Sequence, residues 1–142
     1  FLNGVSGLGA PFWVADFTSR FVGEGEDWQK VVAVAESIVF LLQANLDEMR
    51  ALVPATAQLV VTGGLSWYDG LCQRLADLSG LPAYRPGEYE ATARGTAYLL
   101  AGCPKDWPEP APGLWFTPNP NAALAVRYRK WRSLMEEAVA QT

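Results

Sequence analysis

The chain has no histidine among its 142 residues, and that absence narrows its chemistry more than any other feature. Within this chain it excludes Ser-His-Asp and Cys-His hydrolysis, and the usual zinc ligand sets with them. Cysteine is scarce as well. Cys72 and Cys103 are far apart with no partner nearby, so they build no disulfide framework, and structural free thiols in a reducing cytoplasm are the expectation. Charged residues make up only 18% of the chain, and the net charge of −4 argues against nucleic acid and anionic membrane surfaces as partners. Long apolar runs are missing too. The longest candidate, 31–46, is broken by Glu36, Gln43 and Asn45, so nothing reads as a membrane span, and no signal-peptide pattern is read at the N-terminus. No GxxxxGK element followed by Ser or Thr occurs, and Gly4, Gly7 and Gly9 stand in the wrong order for a dinucleotide fingerprint. A P-loop or Rossmann nucleotide site is therefore excluded.

What is present is apolar: half of the residues are hydrophobic and 12% are aromatic. At this length one domain with an ordinary core is the default, and disorder is excluded by composition. The chain begins at Phe1, directly in a strand-like FLNGV run, which suggests a piece of a larger protein.

Residues 1–25 read as short strands joined by tight glycine turns, with Gly4 to Trp13 as a strand-turn corner. Asp27 reads as the N-cap of a long helix from Trp28 to about Leu52, with an apolar stripe through Trp28, Val31, Val32, Ala35, Ile38, Val39, Leu42, Leu46, Met49 and Leu52, to which Val34, Leu41 and Ala44 add, so that burial on more than one side is expected. Pro54 ends it. The unalternating Leu59-Val60-Val61 run predicts a mid-sheet strand from Gln58 to Val61. A second helix is expected from Asp69 to Leu78, closed by Gly80. An edge strand is expected within 81–85, and a third helix capped by Thr92, with small residues for close packing on a sheet. Residues 104–120 hold six of the ten prolines and read as an irregular crossing anchored by Trp107, Trp115 and Phe116. A last amphipathic helix, from about Ala122 to Ala140, carries the stripe Leu124, Tyr128, Trp131, Met135 and Val139. The sum is an α/β domain with helices against a mostly parallel strand set.

The chemistry concentrates at 57–80, AQLVVTGGLSWYDGLCQRLADLSG. Strand, glycine turn and helix is the arrangement that brings backbone N–H groups close to a nucleotide, and Gly63-Gly64 removes the Cβ atoms that would block it. A plain tight turn is the competing reading. Elsewhere the bland readings prevail. Arg127, Arg129, Lys130 and Arg132 read as a solvated helix face with Glu136 and Glu137 as counter-charges, not as a nucleic-acid surface. Glu88 and Glu90, flanking Tyr89, read as a polar connection, not as an acid/base pair.

Five segments in order resemble the C-terminal domain of the FGGY family of carbohydrate kinases, the group of glycerol kinase and xylulokinase. SGLGAPFW at 6–13 is similar to the family's TGLGAPYW, and AVAESIVFLLQANLDEM at 33–49 to its ALESIAFQTRDVLEAM helix. The glycine-glycine segment matches through Gln73, Ala76-Asp77 and Gly80. RPGEYEATARGTAYLLAG at 85–102 resembles RPEVTETTALGAAYLAG, and Arg127-Tyr128 with Trp131 fits a terminal RYxxW pattern. The SGLGAPFW and RYxxW matches argue against an actin or chaperone ATPase of the same fold.

The resemblance implies the actin-like, Hsp70-like ATPase fold (ribonuclease H-like). It makes residues 1–142 an incomplete C-terminal half of a two-domain sugar kinase. It implies ATP and Mg2+ as cofactors, phosphoryl transfer to a sugar or polyol hydroxyl, and an N-terminal kinase domain as partner. Self-association through uncovered surface is a further expectation. The family's nucleotide contacts fall on Gly64, with Gly63 beside it. The position of a second adenine contact, an Asn in glycerol kinases, falls on Tyr68, whose ring would stack on a base instead. Ser66 would supply a polar contact or cap the following helix. The 20–28 loop is shorter than in glycerol kinases and carries Glu24, Glu26 and Asp27. The catalytic Asp, the phosphate-binding segment and the sugar-binding residues lie outside this chain, so no catalytic residue and no metal ligand is assigned here. The alternative is a non-catalytic relative that binds nucleotide or sugar as a regulator.

Overall fold

The computed structural model describes every residue except Pro54, Ala55 and Tyr89. The reading of Pro54 as a helix terminator and of Tyr89 as part of a polar connection therefore falls outside the described residues. The chain forms two units, Phe1–Thr56 with Pro120–Thr142, and Ala57–Asn119.

The first unit is built on two helices, α1 (Asp27–Leu52) and α4 (Ala122–Val139). Helix α1 starts one residue earlier than the sequence suggests. Glu26 is the N-cap, and its backbone N–H donates to the Gln29 Oε1 at 2.9 Å. Asp27 in the first turn and Arg50 in the last complement the helix dipole. Helix α4 is capped by Asn121, whose Oδ1 accepts from the Leu124 N–H at 3.0 Å. Its stripe is the expected one: Leu124, Tyr128, Trp131 and Met135 are buried, with Ala138 in the place foreseen for Val139.

Helix α1 buries only part of its apolar stripe, Val39 and Leu46, together with a polar group beside them. Trp28 is 67% exposed, Val31 70% and Leu52 83%, whereas Glu36, Ser37, Val39, Phe40, Gln43 and Ala44 are buried. The reason lies in α4, which brings partners for polar groups. Arg127 holds Glu36 through Nε at 2.8 Å and Nη2 at 2.6 Å. The Tyr128 hydroxyl donates to Asp47, Arg132 reaches Asp47 and Glu48, and Phe40 packs on Tyr128 and Trp131 at ring distances of 5.6 Å. A periodicity count that scores only apolar residues cannot see a face completed by ion pairs.

The glycine-rich N-terminal stretch forms a corner, not strands. Two isolated antiparallel bridges, Leu2 with Arg20 and Leu8 with Val14, are its only ladder among the described residues. Gly7 adopts φ +87°, with the Ala15 carbonyl where a Cβ would sit, and at Gly4 a Cβ would run into the Phe17 ring. Asn45 fastens the corner to α1, donating through Nδ2 to the Ala10 carbonyl at 3.0 Å.

Burial pushes the Tyr128 phenol up to about 12; the Asp47 carboxylate accepting its proton adds to that, and Arg132 opposes it. Because the folded chain holds this proton more tightly than the unfolded one, the stability it adds is whole below pH 10 and is lost as pH rises towards about 12. Urea midpoints of the chain and its Tyr128→Phe variant should therefore differ by a constant amount up to pH 10 and converge above it. A difference independent of pH across that window would refute the assignment.

The second unit carries a three-stranded sheet in the order β1 (Leu59–Val60), β2 (Ala83–Arg85), β3 (Leu114–Phe116). Strands β1 and β2 are parallel, with Leu59 opposite Ala83, and β2 and β3 antiparallel, with Ala83 opposite Phe116. This reverses two expectations. Strand β1 lies at the edge with Val60 58% exposed, and β2 lies in the middle. Pro82 and Pro86 flank β2 without entering it, so all three of its residues keep the N–H a central strand needs. The second partner, β3, arises inside the proline-rich crossing that read as irregular. Helix α2 (Asp69–Ser79) closes with Gly80 in the left-handed conformation (φ 71°) and lays Cys72 and Ala76 against Ala83 and Phe116.

Helix α3 (Ala91–Leu100) also departs from expectation. Glu90 precedes it as N-cap, Thr92 lies inside it, and none of its described residues is buried. Its small residues do not pack on the sheet. Instead Tyr98 meets Trp107 edge-on at 5.4 Å, and the Arg94 guanidinium lies over the same ring. No helix is long and apolar enough to cross a membrane among the described residues.

Candidate nucleotide-binding turn

After β1 the chain passes through Thr62 into Gly63, whose φ of 87° and ψ of 171° place it in a region that is essentially glycine-only. One 3₁₀ turn follows, Gly64–Trp67, and Tyr68 leads into α2. Ser66 closes the turn on itself. Its backbone N–H and its hydroxyl both donate to the Gly63 carbonyl, at 3.0 and 2.7 Å. The side chain is 1% exposed, so Ser66 offers no outward hydroxyl and makes no cap for α2. That corrects the expectation of a polar contact or a cap: the residue fixes the turn from inside.

The outer side of the turn is open. A Cβ at Gly63 or at Gly64 would meet no heavy atom within 4 Å. Tyr68 is 66% exposed, with Leu65 and Trp67 half-exposed beside it. The four residues singled out in the sequence thus divide. Gly63 and Gly64 present backbone and Tyr68 a ring to the outside, while Ser66 turns inward.

Arg85 is the site residue that sequence reasoning missed. It sits at the end of β2, is 8% exposed, and is the only buried cation among the described residues. Its Nη1 donates to the Ser66 carbonyl at 2.7 Å and to the Asp69 carboxylate at 2.8 Å. The guanidinium lies 5.6 Å from the Trp67 ring centroid and 5.5 Å from that of Phe116. The Cys72 thiol adds a 3.2 Å contact to the same Ser66 carbonyl, and its pKa is raised, mainly by burial. The one signal in the sequence was an arginine closing a short strand in front of Pro86.

The other candidates resolve structurally. Glu88 pairs with Arg94 at 2.7 Å. Of the basic cluster, Arg127 and Arg132 are committed to Glu36, Asp47, Glu48 and Glu136, so half of the expected solvated face is tied down. Cys72 is a buried free thiol and Cys103 an exposed one. Among the described residues no three His, Cys, Asp or Glu side chains gather to hold a metal ion.

Comparison with known proteins bears directly on this turn. The profile of the C-terminal domain of the FGGY family of carbohydrate kinases matches residues 1–102, which include it. A glycerol kinase of Variovorax paradoxus is 42% identical over 102 residues, covering 66% of this chain and 20% of that protein. A glycerol kinase of Acaryochloris marina is 32% identical over 154 residues, covering 97% of this chain and 30% of that protein. The crystal structure of Plasmodium falciparum glycerol kinase with ADP superposes with a TM-score of 0.72 at 22% identity, over all of this chain and 30% of that one. The fold is therefore the α/β, actin-like ATPase type that the resemblance implies. The chain spans 20–30% of the length of these relatives.

Proposed function

Because the chain belongs to the FGGY family of carbohydrate kinases, we propose that it forms the adenosine-side wall of an ATP-dependent kinase acting on a sugar or polyol hydroxyl. The observation that carries this reading is Gly64. It stands at the start of a 3₁₀ turn where the space beside it is open and nothing in the fold requires a glycine. A missing side chain that packing does not explain is what close approach of a ligand to the backbone demands. Gly63 and Gly64 lie along the nucleoside, and the exposed Tyr68 ring stacks on the base.

Phosphoryl transfer depends on positioning and charge stabilisation. This chain contributes the first, holding the nucleotide by backbone and ring. Magnesium, when bound with the ATP phosphates, neutralises charge on the transferring oxygens, and no residue here is assigned to it. The base that accepts the hydroxyl proton lies outside this chain, and the N-terminal kinase domain is the partner across the cleft. The relatives at 32–42% identity are glycerol kinases, which makes glycerol the first acceptor to try. Two free thiols and a net charge of −4 suit a cytoplasmic protein that handles small molecules.

A second reading, a nucleotide- or sugar-binding regulator without turnover, is favoured by Tyr68 standing where glycerol kinases carry an Asn. An ADP-release assay separates the two. The full-length protein should turn over ATP with glycerol or a pentulose, and residues 1–142 alone should show none. ATP binding by the full-length protein without turnover on any of these acceptors would favour the regulator.

A further inference from the structure

We propose that Arg85 is the positioning residue of the nucleotide turn: it touches no nucleotide and presets the angle at which Tyr68 and the Gly64 backbone meet one. The inference rests on the reading of Gly64 and Tyr68 as nucleotide contacts. Arg85 grips the chain on both sides of Tyr68 and leaves Tyr68 itself outside. Before it, the guanidinium binds the Ser66 carbonyl and lies against the Trp67 ring; after it, the same nitrogen binds Asp69, the first residue of α2. Behind it, Phe116 of β3 supports the cation, so the turn is referred to the sheet and not to solvent. Tyr68 is the exposed apex of this clamp.

Stability alone does not explain a cation here. Burying a guanidinium carries a desolvation cost, and apolar replacement of buried ionic groups is often neutral or stabilising. What methionine cannot supply is a nitrogen that donates to both a carbonyl and a carboxylate, carried on a planar group that also lies against aromatic rings. The ammonium of a lysine keeps the charge and donors but has no planar face to lay on those rings. The function served is geometric: a ring offered to a base must be held at a fixed tilt and distance, and displacement of about 1 Å is enough to lose much of the benefit.

The test is a double-mutant cycle in the full-length protein, read by calorimetric titration of ATP and by KM and kcat for both substrates. Arg85→Met is expected to weaken ATP binding about tenfold, with the KM of the acceptor moving less than about twofold, and Tyr68→Ala to give a similar loss. If Arg85 acts through Tyr68, the double variant should lose no more than about twofold beyond Tyr68→Ala alone. Arg85→Lys should also weaken ATP, which keeps the test readable if Arg85→Met does not fold. Additive losses, or ATP affinity unchanged in both Arg85 variants while Tyr68→Ala weakens it, would overturn the positioning role. ATP affinity unchanged in Tyr68→Ala and in Gly64→Trp would instead overturn the nucleotide reading beneath it.

Discussion

Replacing Gly64 by Trp in the full-length protein is expected to weaken ATP binding by about a hundredfold, roughly 2.7 kcal/mol, while the fold survives. The two halves of that expectation have separate origins. A Cβ at position 64 meets nothing within 4 Å, and the residue opens a 3₁₀ turn, so a side chain can be accommodated on the outer side without displacing the core. The indole would then fill the space through which a nucleoside reaches the backbone. The neighbouring glycine behaves in the opposite sense. Gly63 sits at φ 87° and ψ 171°, so Gly63→Ala should cost about 1–3 kcal/mol of stability through backbone strain. Gly64→Ala should be close to neutral, or stabilising by a few tenths of a kcal/mol through the unfolded chain. Calorimetric titration of ATP, with thermal melts as the control on folding, measures both. Equal ATP affinity in wild type and Gly64→Trp would end the assignment of this turn to the nucleotide.

The contrast between these glycines shows what the sequence could convey. Gly-Gly after an apolar run announces a turn that admits close approach, but the two letters are identical while their reasons differ, and only the backbone angles separate them. Helices were legible where the periodic pattern agreed with burial. In α2, Gly80 set the end, and in α4, Leu124, Tyr128, Trp131 and Met135 face inward as their spacing predicts. The pattern was only partly right in α1, where Val39 and Leu46 are buried as the stripe predicts but Glu36 is buried beside them because an arginine on α4 completes it. Sheet order was illegible because it depends on a third strand, β3, whose three residues lie in a proline-rich stretch with no alternation to mark them. Arg85 and Ser66 escaped for different reasons. The role of Arg85 depends on a contact with a residue 19 positions away, between the sheet and the turn, whereas the Ser66 hydroxyl bonds locally to Gly63 and the sequence does not encode which way a serine faces.

The asymmetry of the Glu36–Arg127 pair leads to an expected order of stabilities that a simple count of salt bridges would not give. The carboxylate is the buried partner, its side chain 6% exposed, while that of Arg127 is 49% exposed. Removing the guanidinium takes two hydrogen bonds from a buried carboxylate, and removing the carboxylate leaves a cation that water already reaches. Arg127→Ala should therefore cost about 3 kcal/mol, near the lower end of what breaking a buried pair costs because one partner is half-solvated. Glu36→Gln, which keeps shape and hydrogen-bonding capacity, should cost about 1 kcal/mol. Replacing both by leucine should recover most of the Arg127→Ala loss, since the desolvation cost disappears along with the attraction. Urea unfolding of the chain and its three variants gives the order directly. If Glu36→Gln proves the more damaging of the two single changes, the carboxylate is not the partner that pays the desolvation cost. The pair would then act mainly through the packing of the Arg127 stem along α1.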